Sequence, residues 1–320
     1  MDRRPGYYAT RFGIVGLLYA GGWAAVFLIG DSWAQVLVAA VLAVVFVQVA
    51  LLAHDLAHRQ VFRSRRVTEN IGVVVGNLLI GLGYGWWTDK HTRHHANPNH
   101  EDHDPDVSPA VIVWSSRQAE QSKGLPRLVC RMQAFLFFPL LTLEGVHLHI
   151  ASFRALTQPA VKRRWTEAVL LTGHLLILAG VLFTTMSFGK ALVFLAVNQA
   201  VFGFYLGCTF APNHKGMQML TAEDELDFLR RQVLTSRNVT GNQVVDIALG
   251  GLNYQIEHHL FPSMPMPNLR KARPIVRDYC AELGVPYQEC GLFASYGQAL
   301  RHMHEVGAVL RTGDRLQSTA

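Results

Sequence analysis

At 320 residues the chain suits one large domain or two ordinary ones. Half of its residues are hydrophobic, only 16% are charged against roughly 25% in soluble proteins, and the mean hydropathy is +0.18. Those values exclude a disordered, a collagenous or an ordinary soluble chain, and leave open whether the net charge of +6 serves nucleic acid or membrane loops.

Residues 12–30 and 33–53 lack Asp, Glu, Lys and Arg for long enough to cross a bilayer, which takes ~20 apolar residues. The first is read as half of a hairpin and not as a cleaved leader, because the second follows after only Asp31 and Ser32. Residues 168–186 and 191–212 form a second such pair, joined near Ser187 and Lys190. Between the pairs, residues 71–87 are short and glycine-rich, and residues 134–150 contain Pro139, Glu144, His147 and His149. Both are expected as helices lying in the interface or dipping partway into it. Gly81, Gly83 and Gly85 are read as close helix packing, since no strand precedes them as a phosphate loop would require.

Loop charges set the orientation. Arg3, Arg4 and Arg11 precede the first span, Arg59, Arg63, Arg65 and Arg66 follow the second, and Lys162, Arg163 and Arg164 precede the third, whereas the hairpin tips offer only Lys190. Lys and Arg near spans are retained in the cytoplasm, so both termini and the middle segment are expected there. The positive charge is thereby explained with no nucleic acid. The expected fold is an all-α integral membrane protein, a single domain over residues 1–320. Four transmembrane helices in two hairpins carry a cytoplasmic helical cap built from residues 54–167 and 213–320. Cys130, Cys208, Cys280 and Cys290 are widely spaced with no Cys-x-x-Cys, which suggests free thiols on a reduced side.

Fifteen histidines are unusual, and their places are more so. Residues 33–58 as one helix would be ~39 Å long, beyond the ~30 Å hydrocarbon core, so His54 and His58 emerge at the cytoplasmic surface on one helical face. Alone that pair is weak, since chance supplies about 0.7 copies of His-x-x-x-His at this histidine content. His91, His94 and His95 form His-x-x-His-His, which chance supplies only about 0.03 times, and in a helix they share one face. His258 and His259 close a third cluster that has Gln255 at the spacing of His91. The topology puts all three clusters on one side of the membrane, which points to a metal site. Seven histidines exceed the needs of one tetrahedral ion, so two metals are the economical count. Imidazole suits iron, copper, zinc and nickel alike. A histidine-rich site over a membrane bundle can meet long apolar substrates, and iron with dioxygen is the chemistry that attacks them.

The three clusters, the stretch His94-His-Ala-Asn-Pro-Asn99 followed by Asp104-Pro-Asp106, and the stretch Gly250-Gly-Leu-Asn-Tyr-Gln-Ile-Glu-His-His-Leu-Phe-Pro262 resemble the membrane fatty-acid desaturase family. Gln255 at the head of the third box and Asp-Pro-Asp after the second are similar to its acyl-CoA and front-end acyl-lipid branch. The resemblance runs from about Leu51 to about Pro274. It implies an O2-dependent enzyme that inserts a cis double bond into an acyl chain, with two iron ions held by His54, His58, His91, His94, His95, His258 and His259. His214, just after the last span, matches a further ligand of relatives, with Asn213 as a water-mediated contact. An amide oxygen is a poor ligand, so Gln255 is expected to orient a ligand or a bound water. Asp55 and Glu257, with Glu101, Asp104 and Asp106, are candidates to accept protons from ligand imidazoles. Trp86 and Trp87 are candidate walls of a substrate tunnel, or interfacial anchors.

For the remaining histidines, an exposed acidic loop is expected around His100 and His103, interface packing for His147 and His149 on different helix faces, and an interhelical hydrogen bond for His174. The chain shows no flavin, nicotinamide or iron-sulfur fingerprint and no haem domain, so an external ferredoxin or cytochrome with its reductase is implied. The substrate is a fatty acyl-CoA or acyl-lipid met in the membrane lipid. Arg117, Lys123, Arg127 and Arg131 are candidates for docking an acidic donor, CoA phosphates or anionic lipid. Hydroxylation by the same site is the nearest alternative. A non-enzymatic metal carrier is the other, but the spans offer only Gln35, Gln48, His174, Asn198 and Gln199 as coordinating groups.

Overall fold

The structure is a computed structural model that describes residues 2–159 and 161–317. The chain is mostly helical and divides into two compact units. In order, the elements are α1 (Pro5–Ile29), α2 (Gln35–Ala57), α3 (Arg65–Val73), a π-helical turn (Val74–Leu79), α4 (Tyr84–Ala96), α5 (Ser116–Gln121), α6 (Gly124–Leu141), α7 (Glu144–Ala155), α8 (Arg164–Thr185) and α9 (Phe188–His214). They continue with α10 (Phe228–Leu234), β1 (Asn238–Thr240), α11 (Gln243–Ala248), α12 (Gln255–Leu260), α13 (Met266–Glu282), β2 (Glu289–Gly291) and α14 (Leu292–Gln317).

The first unit takes residues 1–89, 141–208 and 262–267. It holds α1, α2, α8 and most of α9, each long and apolar enough to cross a bilayer. They coincide with the four charge-free stretches: α1, α8 and α9 begin three to seven residues before them, because helix continues through flanking polar residues such as Arg11 and Arg164, and α2 begins two residues inside its stretch. Their outer faces carry large exposed aliphatics, with Leu17 75%, Leu28 86%, Leu37 72% and Leu176 68% exposed, as suits a lipid solvent. Several polar groups inside are paired. Gln35 donates to the carbonyls of Val26 and Gly30 and closes the first hairpin, and Asp31 accepts from the backbone and hydroxyl of Ser187 and from Lys190, tying the two tips together. The close approach of the second hairpin to α7 depends on small residues. A Cβ at Gly203 would run into the backbone of Gly145 and Leu141.

Two expectations for the segment between the hairpins are corrected. Residues 134–150 form no single helix: α6 starts at Gly124 and ends two residues past Pro139, and the chain turns over Gly203 before α7 begins. Residues 71–87 are a broken element, in which α3 runs into the π turn and α4 leaves it at 112°. Gly81 sits in the left-handed region (φ 67°) at this break, against the rings of His149 and His174, and Gly83 and Gly85 pack on Ser152 and Glu167. By length and composition α6 is a fifth helix able to cross a membrane, and the bent pair would make a sixth, so the count of four is not fixed by the fold.

The second unit takes residues 90–140, 209–261 and 268–320. Against the all-α expectation, β1 and β2 pair in parallel, with Val239 opposite Cys290. Val233, Ile256, Val276, Cys280 and Val285 form one apolar core beside this ladder, and Val113, Ala119, Cys130, Val306 and Leu310 form another under α5, α6 and α14. The four cysteines are free.

Candidate metal centre

Three elements deliver six histidines to one place within the second unit. Helix α4 presents His91, His94 and His95 from successive turns, α9 ends on His214, and the one-and-a-half turns of α12 bury Gln255, His258 and His259. Because Gln255 and His259 are four apart they share a face, and both meet His214: the Gln255 amide nitrogen lies 2.8 Å from His214 Nε2, and the two imidazole centroids are 4.6 Å apart. His258 turns instead toward His95 and His91, with centroids at 4.8 and 6.3 Å. His95 Nε2 and His91 Nε2 are 3.1 Å apart.

The outward-facing nitrogens fix what the inward-facing ones can do. His94 Nδ1 lies 3.0 Å from both Asp104 oxygens, His214 Nδ1 3.0 Å from the Thr235 carbonyl, and His259 Nδ1 2.9 Å from the Gln232 amide oxygen. Each partner is an acceptor, so each ring carries its proton on Nδ1 and turns a lone pair inward on Nε2. The Gln232 orientation is set by its own nitrogen, which donates to the His95 carbonyl. The ligand atoms of His94, His214 and His259 lie within 4.8 Å of one another, and His94 Nε2 faces His214 Nε2 at 3.3 Å. Buried lone pairs gathered this closely are the arrangement that a cation would hold together. This donor set, all imidazole with outer acceptors in place, fits a transition metal such as iron.

Carboxylates of the acidic loop support the arrangement. Asp104 is 1% exposed and also accepts the Asn99 backbone N–H, while Asn99, with φ 54°, donates to the His214 and Gln218 carbonyls. Burial alone would depress the His94 pKa, but Asp104 and Asp106 outweigh it and raise it. Burial would raise that of Asp106, yet Lys90 at 2.6 Å, His94 and Lys215 hold it below the ordinary carboxylate range.

The remaining expected residues have their own surroundings within each unit. In the first unit His54 and His58 lie together at the end of α2, centroids 4.6 Å apart, and Trp87 lies 5.7 Å from His54. Asp55 is 3.5 Å from His54 Nδ1 and is held by Arg11 at 2.6 Å. Trp86 is partly buried. Glu257 accepts from Tyr287 and Asn238, fastening α12 to β1; burial pushes its pKa up, against those two donors. Glu101 pairs with Arg117, which also holds Asp102. Asn213 is buried and donates to the Thr209 carbonyl. His100 and His103 lie with ring centroids 4.4 Å apart and tilted by 35° in the acidic loop, His147 is exposed while His149 bonds the Gly145 carbonyl one turn back in α7, and His174 donates to the Leu78 carbonyl as the interhelical bond expected of it. Gln232 and Thr235 were not anticipated. Nor was Arg237, whose fully buried guanidinium gathers the carbonyls of Pro212 and Lys215 just around His214.

A family model described as fatty acid desaturase matches residues 31–291. An acyl-lipid (9-3)-desaturase of Physcomitrium patens is 32% identical over 280 residues, 84% of this chain and 52% of the relative. The Delta(6)-fatty-acid desaturase fat-3 of Caenorhabditis elegans is 28% identical over 83% of this chain and 63% of its own length, and fatty acid desaturase 3 of Bos taurus 27% over 96% and 70%. The chain thus spans between half and two thirds of the length of the first two relatives.

Proposed function

This chain belongs to the fatty acid desaturase family, and we propose that it is a membrane fatty acyl desaturase that inserts a cis double bond into an acyl-CoA or acyl-lipid chain. The observation that carries the reading is the set of three buried imidazoles whose outer nitrogens are committed to Asp104, Thr235 and Gln232 and whose inner lone pairs converge. His91, His94, His95, His214, His258 and His259 are proposed as ligands from geometry and sequence together, and His54 and His58 from the sequence pattern. A bound pair of irons would supply, with O2 and electrons, the oxidising power to remove two hydrogens from unactivated methylenes, which no side-chain acid or base has.

The residues themselves hold and orient. Asp104, Gln232 and the Thr235 carbonyl lock three ring tautomers, Arg237 and Asn99 fix the backbone around His214, and Gln255 sits against His214 in place of a further imidazole. Trp86 and Trp87 remain proposed tunnel walls and Asn213 a water-mediated contact. The reading takes α1, α2, α8 and α9 as the crossing helices, α6 as interfacial, and the histidines and both termini as cytoplasmic, where an external ferredoxin or cytochrome with its reductase would deliver electrons.

The test is expression in a host lacking endogenous polyunsaturates, with mass spectrometry of total fatty acids and double-bond localisation. A new double bond that disappears with His94→Ala, while that variant still inserts, is the expected result. An alcohol in its place would make the chain a hydroxylase, and metal uptake with no lipid product would make it a carrier.

A further inference from the structure

The helix that bears the second histidine cluster starts on two buried polar side chains from elsewhere in the first unit. Tyr84 and Gly85 open α4, and their backbone N–H groups, which lie in the turn where a helix has no internal acceptors, are both taken up. Tyr84 N–H donates to Asn77 Oδ1 at 3.0 Å and Gly85 N–H to Glu167 Oε2 at 3.2 Å. Asn77 Nδ2 in turn donates to the same Glu167 oxygen at 3.0 Å. Asn77 is 0% and Glu167 2% exposed, in the π turn and the first turn of α8. Glycine at position 85 is what admits the carboxylate, since a Cβ there would run into it. A carboxylate at this end of a helix is favoured by the peptide dipoles, and taking one out of water is otherwise costly. His91 follows Gly85 by six residues, ~9 Å along one uninterrupted helix.

We propose that Glu167 and Asn77 are positioning residues that fix the start, and through it the axial rotation, of the helix presenting His91, His94 and His95. The inference rests on the reading of those histidines as metal ligands. A change in how α4 begins would turn three imidazoles at once, whereas a bond elsewhere in the bundle would cost stability alone.

The experiment uses the full chain purified in detergent and Co2+ as probe, followed by its visible d–d bands, which report ligand geometry without turnover. Glu167→Ala removes the acceptor, and Asn77→Asp sets two carboxylates against each other; each should weaken Co2+ binding about tenfold and shift the bands. Glu167→Gln keeps an amide oxygen that can accept from both Asn77 Nδ2 and the Gly85 N–H, and should keep the bands in place and the affinity within about twofold of the parent. Gln35→Ala, which loosens a hairpin tip remote in sequence from α4, should lower the melting temperature and leave the bands unchanged. Unaltered bands and affinity in both Glu167→Ala and Asn77→Asp, or a folded Glu167→Gln that loses as much as Glu167→Ala, would overturn the proposal. Should the single variants fail to fold, Gly85→Ala, which displaces the carboxylate by one methyl, decides on the same readout. Absence of Co2+ binding by the parent chain would instead strike the metal reading beneath it.

Discussion

An imidazole nitrogen is a metal ligand only when the ring's proton is held on the other nitrogen, so the partners of Nδ1 matter as much as the histidines. Asp104→Asn should weaken metal binding roughly 10–100-fold, because a charged acceptor for His94 is lost, and Gln232→Leu should do the same through His259; isothermal titration with Co2+ checks both. Positions 91, 94 and 95 were legible from sequence because helix geometry alone puts them on one face. Thr235 was not, because it acts through a backbone carbonyl that any residue supplies, and Gln232 was not, because only the fold brings α10 to α12. Away from the centre, His302 donates to the Trp114 carbonyl, and burial pushes its pKa below the ordinary value. Its contribution is therefore full above the unfolded value of about 6.5 and lost as pH falls below it. Melting temperature should drop between pH 7.5 and 5.5, and His302→Gln should flatten part of that drop.

At the scale of elements, the spans were readable because an absence of charge over ~20 residues has one main physical meaning. Breaks were less so. Residues 134–150 look continuous in hydropathy, yet the chain turns at 142–143 because Gly203 lets α9 pass under the turn, a contact about sixty residues away in sequence. Gly203→Leu should cost about 1–3 kcal/mol through overpacking and lower the melting temperature in detergent while leaving secondary structure intact by circular dichroism. Gly81→Ala combines a left-handed backbone with a clash on His149 and should be destabilising in the same assay. The β1–β2 ladder is three residues long on each side, too short and too irregular in pattern to announce itself in sequence.

For the whole molecule, cysteine-accessibility labelling in intact cells tests the orientation. A residue at the Asp31 tip should be modified from outside, and one beside Arg63 only after permeabilisation; labelling of both from one side would contradict four crossings. The family, its membrane helices and the histidine clusters could all be read from the chain. The choice among five or six helices able to cross could not, because length and apolarity do not distinguish a crossing from a helix lying in the interface. The most direct check of the metal centre is elemental analysis joined to iron X-ray absorption on the purified, active protein. A pair of irons per chain with imidazole-nitrogen scattering, lost in step with product in His94→Ala and His259→Ala, is the predicted result. Protein that still forms double bonds while holding no transition metal would contradict it.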